Sequence, residues 1–187
     1  MTAEASTSVV ELKQDGDVLL VSVNNPPVNA LGAAVRQGLM AAMELADASA
    51  TVKAVVIVGQ GKAFIAGADI REFGKPPVQP FLPDVCNRIE ACSKPVVAVI
   101  HGAALGGGLE IAMSAHYRLA LPGAKLGLPE VSLGLVPGAG GTQRAPRLMG
   151  VKAATELMLS GQQIGAKAGL AAGLVDKLEE GTDPVAA

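Results

Sequence analysis

Residues 94–113 read KPVVAVIHGAALGGGLEIAM, and the order of residue types in that stretch decides the fold. PVVAVI at 95–100 is a short, continuous apolar run rich in β-branched residues. Its length and branching favour a strand buried on both faces. Three glycines, Gly106, Gly107 and Gly108, then lie where a helix should begin, and residues 105–115 read as a loop entering that helix. A strand that passes through a glycine-rich turn into a helix is the joint of a βα unit. Without side chains, those glycines leave N–H groups open at the positive end of the helix. That arrangement suits a developing oxyanion. Glu110 lies a few residues inside the helix, flanked by Leu109, Ile111 and Ala112. Its alternative reading is a first-turn acid favoured by the helix dipole.

Outward from this joint the same alternation continues. Upstream, SVVELK at 8–13 and VLLVSV at 18–23 flank Asp15-Gly16-Asp17 and read as a hairpin. A breaker-rich loop, NNPPVNALG at 24–32, precedes residues 33–48, where Val35, Leu39, Met43 and Ala46 keep helical spacing. AVVIVG at 54–59 is another buried strand, and residues 84–92 carry Val85, Ile89 and Cys92 on one helical face. Downstream come a strand at 117–121, helical stretches near 142–149, 151–159 and 165–172, and a last strand at 174–178. Strands alternating with helices predict an α/β fold with βαβ crossovers. The ending EEGTDPVAA is polar and small, so the expected core runs over about 8–178 of a single 1–187 domain.

Composition narrows the function. Half of the 187 residues are apolar and 17% are charged, which argues against disorder. Fifteen basic and 17 acidic side chains leave a net charge of -2, without a basic patch for nucleic acid. Three Phe, one Tyr and no Trp make a base-stacking platform hard to build. No apolar run approaches the roughly 20 residues of a membrane helix, so neither a nucleic acid nor a membrane is an expected partner. The chain does not open on a signal-peptide pattern or end on SKL, which points to the cytoplasm. Cys86 and Cys92 have no companion ligands and read as reduced thiols, so no metal site is expected.

Common cofactor and nucleophile motifs are absent. There is no GxxxxGK[ST], no GxSxG, no HExxH and no CxxC, and Gly138-Ala139-Gly140-Gly141 lacks the third glycine of GxGxxG. Two further loops could carry chemistry. AFIAGADI at 63–70 follows a buried strand and exposes backbone N–H groups, or else forms a tight turn in which Asp69 caps a short helix. LPEVSLGLVPGAGG at 128–141 places Glu130 among Leu128, Pro129, Val131 and Leu133. There it is either partly buried with a raised pKa or an exposed loop acid. His101 and His116, at the ends of a strand and a helix, read as structural. Arg144 and Arg147 read as a solvated helix face or a salt bridge.

Together, AFIAGADI at 63–70, KPVVAVIHGAALGGGLEIAM at 94–113 and LGLPEVSLGLVPGAGGTQRAPRLMG at 126–150 resemble the crotonase family, also called the enoyl-CoA hydratase/isomerase family. NPPVNALG at 25–32 and AAGLVDKL at 171–178 match weaker family features in the same order, so the resemblance covers roughly 10–178. The wording is closest to the N-terminal hydratase part of multifunctional fatty-acid β-oxidation enzymes. The resemblance implies an α/β fold built as a spiral of ββα units. It implies an acyl-CoA thioester as ligand, with coenzyme A part of the substrate and no separate cofactor. By motif position, the backbone N–H groups of Ala66 and Gly107 would form the oxyanion hole. Gly67, Ala68, Asp69 and Ile70 would line the coenzyme A path through backbone groups, and Gly138 would let its loop approach the acyl chain. Glu110 and Glu130 match the two catalytic glutamates of hydratases, Glu110 activating water and Glu130 exchanging the α-proton.

The chain also departs from the family. It stops near the place where the family's C-terminal helices begin, so that region is expected to be missing or truncated. No dehydrogenase domain is expected in this chain. Assembly is expected either as a homotrimer or as part of a longer multifunctional chain. The implied activity is hydration of a trans-2-enoyl-CoA to a 3-hydroxyacyl-CoA in fatty-acid β-oxidation. The alternatives are a Δ3-Δ2-enoyl-CoA isomerase and a truncated, non-catalytic acyl-CoA-binding domain.

Overall fold

The structure, a computed structural model, describes residues 8–186. It opens on the expected hairpin, but the first strand is shifted. β1 (Val10–Asp15) pairs antiparallel with β2 (Val18–Val23), with Asp15 opposite Val18. Gln14 and Asp15 therefore belong to the strand, because Gly16-Asp17 alone makes the turn. α1 (Ala33–Ala48) buries the predicted stripe Val35, Leu39, Met43 and Ala46. Beyond it, β3 (Ala54–Gly59) lies parallel to β2.

α2 (Leu82–Glu90) starts two residues before the predicted helix, with Pro83 in its first turn where no N–H is needed. Cys92 therefore falls beyond its end. β4 (Val96–Ile100), α3 (Gly107–Ser114) and β6 (Tyr117–Ala120) complete the central units, and β4 pairs parallel with both β3 and β6. These are the crossovers that the alternation predicts, and they put α1, α2 and α3 on the sheet. Asp47 pins α1 to the turn after α2. Its carboxylate accepts the Ser93 N–H at 2.8 Å and the Ser93 hydroxyl at 2.6 Å, and pairs with Arg88.

Periodicity does not predict the second sheet. β5 (Ala103–Leu105), β7 (Lys125–Gly127) and β8 (Ile164–Gly165) form three short strands in the order β5-β7-β8. Strands of two or three residues carry no readable alternation. Single bridges from Ile65 to Ala104 and from Leu31 to Ala68 extend the pairing. Successive passes of the chain thus give one long strand to the main sheet, one short pairing segment beside it, and a helix. This is the ββα spiral of a crotonase fold.

α4 (Gly141–Met149), α5 (Val151–Ser160) and α6 (Ala166–Ala171) follow. The main sheet closes on β9 (Lys177–Leu178), in the order β1-β2-β3-β4-β6-β9. The predicted last strand, 174–178, shrinks to two residues. Leu174 and Val175 are buried by packing, and contact with β6 begins only where Asp176 donates its N–H to the Arg118 carbonyl at 2.9 Å. α6 is the last α-helix among the described residues. No helix among the described residues is long and apolar enough to cross a membrane.

Candidate active site

The start of α3 is pressed against the segment 63–70, and glycine permits it. A Cβ on Gly108 would lie 2.0 Å from the Ile65 carbonyl oxygen, and one on Gly107 would lie 2.6 Å from Leu82 Cδ2. At Gly108 a side chain would strike fixed backbone, whereas at Gly107 the end of Leu82 would have to shift. The close approach brings the first turn of α3 beside Ala66, Gly67 and Ala68. The Gly107 N–H has no protein acceptor among the described residues. A 3-10 helix, Pro129–Leu133, and the segment to Ala139 form the opposite wall. Between the walls is a cavity of about 470 Å³.

Of the nine predicted site residues, eight line this one cavity: Ala66, Gly67, Ala68, Ile70, Gly107, Glu110, Glu130 and Gly138. Leu82, Leu105, Leu133, Leu135 and Val136 make the remaining lining mostly apolar. At Gly138 an added Cβ would meet only the Val136 carbonyl oxygen, at 3.9 Å, so the missing side chain leaves open space.

The two carboxyl groups are held differently. Glu110 is 2% exposed, and its Oε1 accepts the N–H groups of Ala139 at 2.7 Å and Gly141 at 2.8 Å. Burial pushes its pKa up, against the lowering effects of these two N–H groups and of Arg144. Glu130 sits on the 3-10 helix, and its Oε2 is buried without a hydrogen-bond partner among the described residues. Burial raises its pKa, and the nearby charge of Glu110 pushes it further in the same direction. The partly buried reading of Glu130 therefore prevails over the exposed one. Two desolvated carboxyls facing one apolar cavity can divide the roles of acid and base.

Asp69 departs from the expected set. It turns away from the cavity to an adjoining hollow shared with Arg36, Glu72 and Phe81. Its carboxylate accepts the Arg71 N–H at 3.0 Å and caps the 3-10 helix Ile70–Glu72. The Arg71 guanidinium holds the carboxyl below the usual range. The tight-turn reading of this aspartate is the one the fold adopts, because an Asp at that position satisfies a local donor.

Ala66 also departs in part. Its N–H donates to the Val28 carbonyl at 3.1 Å, so it is engaged where the Gly107 N–H is not. Neither histidine lines the cavity. His101 Nε2 lies 3.2 Å from the Gly61 carbonyl, and His116 Nδ1 accepts the Val96 N–H at 2.9 Å.

Sequence reasoning missed the support of Glu110. The loop around Gly140 supplies both of its N–H donors, and that loop is itself held by Arg144. Arg144 is 9% exposed and paired with Glu90 at 2.7 Å, so the salt-bridge expectation holds and the solvated one does not. The adjacent glycines 140 and 141 were the available signal, since a doublet marks backbone in close contact with something else. Among the described residues no group of three or more His, Cys, Asp or Glu side chains is placed to hold a metal ion.

Comparison with known proteins gives one consistent result. The family model described as "Enoyl-CoA hydratase/isomerase" matches residues 13–182. A "Peroxisomal bifunctional enzyme" of Danio rerio is 52% identical over 163 residues, which are 87% of this chain and 23% of that protein. A "Probable enoyl-CoA hydratase" of Bacillus subtilis (strain 168) is 43% identical over 175 residues, 90% of this chain and 68% of that one. The crystal structure of an enoyl-CoA hydratase from Bacillus anthracis superposes with a TM-score of 0.87 at 34% identity, covering 92% of this chain and 70% of that chain. The chain thus spans under a quarter of the bifunctional relative and about two-thirds of the hydratase relative. Several relatives are named as peroxisomal, so the cytoplasmic expectation does not extend across them. The chain belongs to the enoyl-CoA hydratase/isomerase family.

Proposed function

We propose that this member of the family hydrates a trans-2-enoyl-CoA thioester to a 3-hydroxyacyl-CoA. One observation carries the reading: Glu110 and Glu130 face the same apolar cavity beside the unpartnered Gly107 N–H. Water must add to the β-carbon while a proton reaches the α-carbon. Glu110, as a carboxylate, takes a proton from the water as its oxygen bonds to the β-carbon. The π electrons move toward the thioester, whose oxygen gains negative charge. Glu130, as a carboxylic acid, gives its proton to the α-carbon. Proton exchange between the coupled pair restores the starting state, and neither role is fixed to one residue alone.

Burial raises the pKa of both groups, which favours one proton held between the pair. The Gly107 N–H would stabilise the thioester oxyanion, and one such donor is typically worth about 3–4 kcal/mol. The Ala66 N–H could join it once shared with, or released from, the Val28 carbonyl. Coenzyme A enters as part of the substrate, so no separate cofactor is proposed. A role in fatty-acid β-oxidation follows from the substrate class and from relatives named for that pathway.

A second reading, acyl-CoA binding without turnover, draws on the engaged Ala66 N–H. One experiment separates them. The full chain is assayed with a short trans-2-enoyl-CoA by the loss of conjugated thioester absorbance, with Glu110→Gln and Glu130→Gln as controls. We expect turnover, reduced roughly 10²- to 10⁴-fold in each variant. Near-normal rates in both variants would overturn the hydratase reading. Thermal stabilisation by acyl-CoA without turnover would support the binding one.

A further inference from the structure

Arg144 is a buried charge, 9% exposed, that holds the loop gripping Glu110 and that the chemistry above does not use. It lies in the first turn of α4, and its guanidinium reaches three places. Nη1 donates to the Ala139 carbonyl at 3.0 Å, and Nη2 donates to Asn87 Oδ1 at 3.0 Å and to Glu90 Oε2 at 2.7 Å. The first contact folds residues 139–144 into a closed loop. The N–H groups of Ala139 and Gly141, in that same loop, grip Glu110 Oε1. Gly140 makes the geometry possible. Its φ is +101°, and a Cβ there would lie 2.1 Å from Arg144 Nη1.

Two features set this arginine apart from a simple strut. Its Nε is buried without a partner among the described residues, so the side chain tolerates an unsatisfied donor. Local violations of this kind concentrate where a protein holds functional groups in place. Its carboxylate partner, Glu90, has a side chain that is 58% exposed, so the ion pair by itself contributes little.

We infer that Arg144 is a positioning residue for Glu110, closing the 139–144 loop so that two peptide N–H groups hold one carboxylate oxygen. The inference rests on the reading of Glu110 as the water-activating carboxylate. The groups facing Glu110 are Glu130 from the 3-10 helix, Arg144 from α4, and Cys86 from α2, whose thiol burial pushes up to about 12 and so keeps neutral.

The test uses the full chain with Arg144→Gln, Arg144→Lys and Glu90→Gln. Two readouts need no turnover: the Glu110 titration, followed by carboxyl-carbon NMR and assigned with Glu110→Gln, and the hydrogen exchange of the Ala139 and Gly141 amides. Arg144→Gln removes an attractive charge, so the Glu110 midpoint should rise by roughly one pH unit. The acid limb of kcat/KM for the enoyl-CoA should rise with it. Arg144→Lys keeps the charge but not the forked donors. It should speed exchange at both amides and lower kcat roughly 10- to 100-fold. Glu90→Gln should leave the midpoint in place. An unmoved midpoint in folded Arg144→Gln would overturn the inference, and so would a Glu90→Gln shift of equal size. If Arg144→Gln does not fold, unchanged exchange in Arg144→Lys would overturn it instead. If the wild type has no hydratase activity, the proposed function fails on its own while the titration and exchange still decide the role of Arg144.

Discussion

Glu110 and Glu130 meet at one cavity but stand on walls of different construction. The Glu110 wall is backbone pressed against backbone. α3 is buried along its whole length, its start touches the 63–70 segment, and two peptide N–H groups fasten the carboxylate. The Glu130 wall is a short 3-10 helix and an irregular segment. Val131, Leu133, Leu135 and Val136 are exposed there, and one carboxyl oxygen is unpartnered. The difference teaches that a pair of like groups need not be held alike. In the proposed hydration, the rigid carboxylate would set where the reaction happens, and the second would sit where substrate binding completes its surroundings.

That contrast can be broken at several points. The largest expected effect is on the rigid wall. Gly108→Ala drives a methyl group into the Ile65 carbonyl oxygen, which lies 2.0 Å from the added carbon. Overpacking of a closed core costs about 3 kcal/mol, and urea unfolding should show a loss of that order. A loss below about 1 kcal/mol would mean the wall yields as readily as its neighbour.

The next effect separates stability from activity. Glu130 has a folded pKa raised above the ordinary 4.5, chiefly by burial. The folded state therefore holds that proton more tightly than the unfolded one. Stability from this group is complete below pH 4.5 and is lost as the pH rises through the folded value. Glu130→Gln should thus raise the melting temperature at pH 7 while lowering turnover roughly 10²- to 10⁴-fold, and the gain should vanish toward pH 4. A variant less stable than wild type at pH 7 would show that the carboxylate is better solvated than its burial suggests.

The smallest effect falls on the open wall. Leu135 is 51% exposed. Leu135→Ser should change stability by less than about 0.5 kcal/mol, yet raise KM for an enoyl-CoA because the residue lines the cavity. A large drop in unfolding midpoint would place Leu135 in the structural core and erase the distinction between the walls.

Much of this arrangement is legible in the residues alone. The apolar runs at 54–59 and 95–100, the helical stripe from Val35 to Ala46 and the glycines before Glu110 state the α/β alternation and the open helix start. These are local patterns with periods of two or 3.6, which neighbouring residues reveal. The family resemblance identified nine site residues, and eight of them converge. Asp69 was ambiguous because an Asp before a short turn can cap it or face a ligand, and only the position of Arg71 decides between them.

What tertiary structure alone decided is non-local. The 20-residue spacing of Glu110 and Glu130 says nothing of their meeting, which depends on the short strands β5 and β7 pairing in register. Those strands are too short to show a period. Arg144 carries the composition of a surface residue, yet the packing of α2 and α4 closes over it. The Ala66 N–H finds the Val28 carbonyl only because the 24–32 loop folds back across 63–70. Residue type and spacing determine which elements form. Which polar groups are left without water, and which find one another, depends on chain segments brought together by burial of the apolar core.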